Sequence, residues 1–211
     1  MTGAWDRPLQ RSIRLLAGLV LFGLSLALLV QADLGLDPWT VFAQGVSRHT
    51  GLSLGTVTVL SSLAVLAMWI PLRQRPGVGT IANAVVVGPV LDLGVALIPP
   101  PGQPVTQAVF LAAAIVGTAV ATGLYIGAGW GPGPRDGLMT GLAAHGVSTG
   151  VARTAIELTV LLSGWVLGGT IGIATAIFAL AIGPLVARAL PLITLSPHTP
   201  DPALPEAACG T

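Results

Sequence analysis

Three observations predict an all-α polytopic membrane protein, with six transmembrane helices in two inverted three-helix repeats and one short interfacial or re-entrant helix in each repeat. The first is composition. Of 211 residues, 53% are hydrophobic and 8% charged, and the mean hydropathy is +0.86, whereas a soluble domain carries about 25% charged residues. So little charge cannot cover a water-facing surface, and the apolar residues must face lipid. A soluble enzyme, a nucleic-acid binder and a disordered chain are excluded. The second observation is a set of six apolar runs long enough to cross a bilayer. The third is a correspondence between the two halves of the chain. The net charge of +1 points to no acidic or basic partner.

A hydrocarbon core of about 30 Å takes about 20 apolar residues as a helix. Runs of that kind occupy 13–31, 54–72, 77–98, 107–129, 151–169 and 171–193. In lipid each must be helical, because only a helix satisfies its own backbone donors and acceptors. The first run follows Arg7, Arg11 and Arg14, and Val30-Gln31-Ala32 resembles a signal cleavage site. Its apolar stretch exceeds the usual h-region, so a retained helix is expected.

Two segments, 37–49 and 134–145, are too short to cross. Asp37-Pro38 reads as an N-cap followed by proline at the first helical position, and Pro134 opens the second segment in the same way. Both are expected to be short helices at the interface or dipping partly in. The tail 194–211 carries Pro197, Pro200, Pro202 and Pro205 and no apolar period. It is expected to be disordered, leaving residues 1–193 as a single transmembrane domain. The one cysteine, Cys209, gives no intrachain disulfide or thiolate metal site.

Arginine sets the expected orientation. With six spans and the N-terminus inside, Arg7, Arg11, Arg14, Arg73, Arg75, Arg135 and Arg153 fall on the inner side, Arg48 alone on the outer side, and Arg188 within the sixth span. The positive-inside rule then places both termini in the cytoplasm.

The repeat runs through both halves. At a spacing of 96, Gly35 pairs with Gly131, Pro38 with Pro134, Gly45 with Gly141 and His49 with His145. After the loss of one residue the spacing is 95: Gly51 pairs with Gly146, Gly77 with Gly172 and Pro89 with Pro184. From Gly51 to Ile98 there are 14 identities in 48 ungapped pairs, where chance gives about four or five. The copies cover about 12–100 and 107–193. Each holds three spans, an odd number, so the second enters the bilayer from the opposite side. Thr80, Ala84 and Gly88 form a small-residue stripe, repeated as Thr175, Ala179 and Gly183. Stripes of this kind let helix backbones approach closely, and the pair is expected to meet at the pseudo-axis.

Ionisable residues in a bilayer are costly and suggest function by default. Arg135, Asp136, Arg153 and Glu157 cluster on the inner side. Arg153 and Glu157 lie one helical turn apart and can pair. Arg135 and Asp136 occupy the first turn of a short helix, where free N–H groups can face an anion. Two readings stay open: a clamp holding the short helix to the fifth span, and a small anionic-ligand or proton site. On the outer side Trp39-Thr40 replaces Arg135-Asp136, and Ser62 replaces Glu157. Deeper lies Asp92, which is expected to cap or pair, or else to carry a proton. His49 and His145 read as cations at helix C-termini. No His, Cys or Asp grouping has zinc spacing, and no nucleophilic triad or phosphate loop occurs. No metal, no cofactor and no enzymatic activity are expected. Trp39, Trp69, Trp130 and Trp165 fall near span ends, as in an interfacial belt.

The run Gly131-Pro132-Gly133-Pro134-Arg135-Asp136-Gly137-Leu138-Met139 continues to Arg153-Thr154-Ala155-Ile156-Glu157 and then to Gly168-Gly169-Thr170-Ile171-Gly172. With Gly35-Leu36-Asp37-Pro38-Trp39 and Gly77-Val78-Gly79-Thr80 in the first half, it resembles the YczE/YyaS/YitT group of bacterial membrane proteins, in particular its YczE-like branch. The likeness spans about residues 12–193. Ala174 stands where the resemblance implies a glycine. The resemblance implies a polytopic plasma-membrane protein and supplies no catalytic residues.

The expected function is a transporter or exporter of a small solute, on architectural grounds. The alternative is a non-transporting scaffold or regulator of a partner pathway. A polar cavity lined by Arg135, Asp136 and Glu157 would favour transport, and a closed apolar seam would favour the scaffold. The expected partners are the lipid bilayer and a small-molecule solute, with no nucleic acid.

Overall fold

The computed structural model describes residues 8–193, so the Pro-rich tail, Cys209 and Arg7 lie outside the described residues. The fold is all-helical: α1 (Pro8–Ala32), α2 (Pro38–Thr50), α3 (Leu54–Met68), α4 (Val78–Leu97), α5 (Pro104–Gly127), α6 (Pro134–Ala144), α7 (Thr149–Val166) and α8 (Ile173–Ile193). Four of these, α1, α4, α5 and α8, are long and apolar enough to cross a membrane. The pair α2 and α3, bent by 114° at their junction, makes a fifth if counted as one span. The remaining long helix, α7, has 18 residues and carries Arg153 and Glu157, which lower its apolarity.

Two helices end earlier than their apolar runs, for local reasons. The run 54–72 stops at Met68 because Pro71 has no N–H to donate and its ring clashes with the carbonyl four residues back. The chain closes there through Gln74 N–H to the Trp69 carbonyl at 3.1 Å, with Arg73 in the left-handed region at φ 53°. The run 151–169 stops at Val166 without a proline, at a glycine turn. Gly169 N–H reaches the Gly164 carbonyl at 2.8 Å, and Gly168 takes φ 84°. Both ends carry the six-to-one bond of a Schellman closure.

The centre of the molecule is α1 packed along α5. Helix α4 lies against α1, α8 lies against α5, and α2 packs on α7. Leu19, Leu26 and Leu91 are fully buried around Tyr125 in one part of this core, and Leu29, Val41 and Ala174 in another. Arg14 ties the start of α1 to the end of α8 by donating to the Ile193 carbonyl at 2.7 Å.

Backbone detail repeats between the halves. The described residues with positive φ fall into four pairs: Asp33 with Gly129, Gly35 with Gly131, Gly51 with Gly146, and Arg73 with Gly168. Gly79 N–H donates to the Trp130 carbonyl at 2.8 Å, and Ala174 N–H to the Leu34 carbonyl at 2.9 Å. Each bond joins one half to the other. Thr80 Oγ1 accepts from Gly77 N–H and Thr175 Oγ1 from Gly172 N–H, both at 3.2 Å.

Packing does not repeat everywhere. Helices α3 and α4 are in close contact, whereas their counterparts α7 and α8 are not packed on each other.

Candidate functional site

The site forms where the first turns of the two short helices meet. Pro38 and Pro134 each occupy the first helical turn, where a missing N–H costs nothing and φ is already set. Gly35 and Gly131, at φ 112° and 114°, turn the chain into those helices. A β-carbon at Gly35 would lie 2.5 Å from the Gly172 nitrogen, and one at Gly131 would lie 2.6 Å from Thr80 Oγ1. The tight turns before α2 and α6 therefore admit no side chain.

Asp37 takes the extended N-cap backbone but makes no side-chain cap bond. This differs from the sequence expectation, because its carboxylate has another partner. Asp37 Oδ2 lies 3.5 Å from Arg135 Nη1, and the Asp37 side chain is 2% exposed. Its other oxygen, Oδ1, is buried with no hydrogen-bond partner, as is Trp39 Nε1. The Arg135 guanidinium lies 5.3 Å from the Phe22 ring centroid and 5.7 Å from that of Trp39, within cation–π range. Asp136 Oδ2 accepts from Tyr125 Oη–H at 2.6 Å. Tyr125 in turn meets Phe22 edge-on at 6.0 Å.

Arg153 donates from Nε to Glu157 Oε1 at 3.0 Å, one turn apart on α7. The four sequence candidates Arg135, Asp136, Arg153 and Glu157 all line one cavity of about 120 Å³. That volume holds several waters. Asp37 from α2, Tyr125 from α5 and Phe178 from α8 complete its wall. Three carboxylates and two guanidiniums surround the space, and two of the carboxylates sit against an arginine.

Asp92 stands apart from this cluster. Its Oδ1 accepts from Gly55 N–H at 2.7 Å, and its Oδ2 from Ser53 Oγ–H at 2.5 Å, so it secures the start of α3. His49 and His145 place Nδ1 at 3.0 and 2.9 Å from the Gly45 and Gly141 carbonyls. Arg48 donates to the Gly168 carbonyl and, at 3.3 Å, to Thr170 Oγ1.

The small-residue stripes do not meet each other, because α4 and α8 lie on opposite flanks of the central α1–α5 pair. Thr80 bonds instead to the Pro132 carbonyl at 2.7 Å. Gly88 packs on Gly55, with a β-carbon there only 3.1 Å from the Gly55 carbonyl carbon. Thr175 is buried like Thr80, while Ala84 is buried and Ala179 exposed. Gly183 faces nothing nearer than Arg153 Nη1 at 4.0 Å.

One tryptophan expected in an interfacial belt is interior. Trp69 is 2% exposed and donates from Nε1 to the Pro134 carbonyl at 3.0 Å, a polar partner within the fold that overrides the interfacial preference. Trp39 is half-buried, with its ring against Arg135. Asp37 as the partner of Arg135 was not legible, because the topology read from sequence sets them on opposite faces. Tyr125 left one signal: it is the only tyrosine in the chain, set in an apolar helix where its hydroxyl needs a partner.

A family of unknown function (DUF6198) matches residues 9–190. An uncharacterized protein of Haemophilus influenzae (strain ATCC 51907 / DSM 11121 / KW20 / Rd) is 35% identical over 200 residues, 94% of this chain and 92% of its own length. The uncharacterized membrane protein YczE of Bacillus subtilis (strain 168) is 30% identical over 178 residues, 83% of each chain. No solved structure matches the chain. A membrane-protein relative and four helices of spanning length make this a multi-pass membrane protein.

Proposed function

From the premise that this chain belongs to the DUF6198 family of YczE-like membrane proteins, we propose that it is a transporter of a small polar solute. Its path is the cavity between the two short helices. The observation that carries this reading is the cavity itself, a charged space of about 120 Å³ walled by both halves of the chain. A scaffold needs only a closed apolar seam there.

The architecture proposed is six spans in two inverted copies, with α3 and α7 as the second and fifth. The paired positive-φ residues and the reciprocal bonds of Gly79 and Ala174 support two copies related by a two-fold axis. The contact of Asp37 with Arg135 supports re-entrant rather than interfacial short helices, since helices lying on opposite faces of a bilayer could not touch. Their N-termini then converge at mid-depth, where broken helices of other transporters hold substrate. The proposed location is the bacterial plasma membrane with both termini cytoplasmic, following the arginines.

Metabolite profiling of cells with and without the gene, followed by uptake of the accumulating solute into vesicles, tests the reading. Flux that depends on the intact protein and falls in Glu157→Gln at normal membrane abundance supports it. Loss of the Glu157→Gln protein from the membrane would mark the Arg153–Glu157 pair as a structural clamp. Absence of any solute difference and of any vesicle flux contradicts transport.

A further inference from the structure

A second, smaller cavity lies beside α3 and mirrors the first. Its volume is about 30 Å³ against about 120 Å³. The two are built from corresponding residues: Thr40, Thr58 and Ser62 line the small one where Asp136, Arg153 and Glu157 line the large one. Trp39 and Arg135 are themselves counterparts at a spacing of 96. Both line both cavities, so they stand on the boundary between them.

The helices flanking each cavity differ in the same sense. Beside the small cavity α3 and α4 are shut. Gly55 and Gly88 lie backbone to backbone, and Asp92 latches the seam through Ser53 and Gly55. Beside the large cavity α7 and α8 stand apart. Gly150 has nothing within 4 Å, and Gly183 has only the tip of Arg153. Glycine inside a helix is unfavourable by about 1 kcal/mol relative to alanine. In the first copy that is offset by close contact. In the second copy the same glycines meet nothing.

We infer that this conformation is one of two, and that the α7–α8 seam closes on Gly150 and Gly183 while the α3–α4 seam opens at Gly55 and Gly88. The large and small cavities exchange volumes, and the Trp39–Arg135 contact is the partition a solute passes. This rests on the inverted-repeat transport reading and adds the identity of both gates. Asp92 has no carboxylate counterpart, since Ala187 stands in its place. The α3–α4 gate is therefore the latched one, and the present form is the resting form.

The test uses the full chain in membranes with Cys209→Ser as background. Ser148→Cys with Ala187→Cys places thiols at the counterparts of Ser53 and Asp92, whose side chains touch at 2.5 Å. Val151→Cys with Ala187→Cys, the counterparts of Thr56 and Asp92, replaces the first pair if that protein does not accumulate. A third cysteine, Ala84→Cys in the shut seam or Ala179→Cys in the open one, is then labelled with a small thiol reagent. With an added thiol oxidant to accept the two electrons, the expected result is a disulfide between α7 and α8, labelling at 84 raised about tenfold and labelling at 179 lowered about tenfold once it forms. Failure of both pairs to link in folded protein, or a link that leaves position 84 as unreactive as before, overturns the inference. Vesicle flux is read separately. Reciprocal labelling without flux keeps the two conformations and ends the transport reading, whereas flux without reciprocal labelling does the reverse.

Discussion

Adding one methyl group at each of two corresponding glycines separates the shut seam from the open one. In Gly88→Ala the new β-carbon would lie 2.6 Å from Val59 Cγ2 and 3.1 Å from the Gly55 carbonyl carbon. The valine can rotate, but the backbone of Gly55 cannot yield without moving α3 away from α4. That movement also stretches the bonds from Asp92 to Ser53 and Gly55, at 2.5 and 2.7 Å. Overpacking of this kind destabilises by about 1–3 kcal/mol, and the gain in helix propensity from glycine to alanine offsets up to about 1 kcal/mol. A net loss of about 1–2 kcal/mol is expected for Gly88→Ala. In Gly183→Ala the nearest atom is the flexible Arg153 Nη1 at 4.0 Å, so the propensity gain stands alone and stability is unchanged or rises by up to about 1 kcal/mol. Reversible unfolding in detergent micelles, followed by helix content, measures both. Equal destabilisation by the two substitutions, or a larger loss at Gly183, would refute the reasoning.

Two further outcomes follow from the site. Removing one member of the Asp37–Arg135 pair leaves the other charge alone, so Arg135→Gln, which strands the buried Asp37, should destabilise by about 3 kcal/mol, and Asp37→Asn by less, since the Arg135 side chain left behind is 27% exposed. The double substitution should recover part of the loss in a double-mutant cycle, and simple additivity would show that the 3.5 Å contact contributes nothing. At Gly137 a β-carbon would run into the six-membered ring of Trp69, 2.8 Å from Cε2. Gly137→Ala should therefore break the Trp69 Nε1 bond to Pro134 and destabilise by about 1–3 kcal/mol, visible as a blue-to-red change in tryptophan emission as the ring leaves its buried site.

The all-helical fold was legible because it depends on local pattern: apolar runs of spanning length, with glycine and proline at the turns. The site was legible in part. Arg135, Asp136, Arg153 and Glu157 were visible as rare charges in an apolar chain, and they do line one cavity. Their companion Asp37 was hidden, because a run of residues carries no signal for which helix start will meet which in the folded chain. Asp37-Pro38 has the form of a cap, yet the carboxylate turns to Arg135 instead. Trp69 was misplaced for a related reason. Its position near the end of an apolar run suggested an interface, whereas bonding to Pro134 holds it inside. The difference between the α3–α4 and α7–α8 seams left no trace in sequence, since the same glycines stand in both copies and only the three-dimensional arrangement tells which pair is in contact.

The account depends on the two halves lying upside down to one another in the bilayer. Leu52 and Val147 are counterparts at a spacing of 95, and they are 41% and 38% exposed. Cysteines at these positions in the Cys209→Ser background can be labelled with an impermeant thiol reagent in intact cells and in inverted vesicles. Labelling of position 52 from outside, like position 103, and of position 147 from the cytoplasm, like position 74, is the predicted result. Labelling of both 52 and 147 from the same face would contradict it.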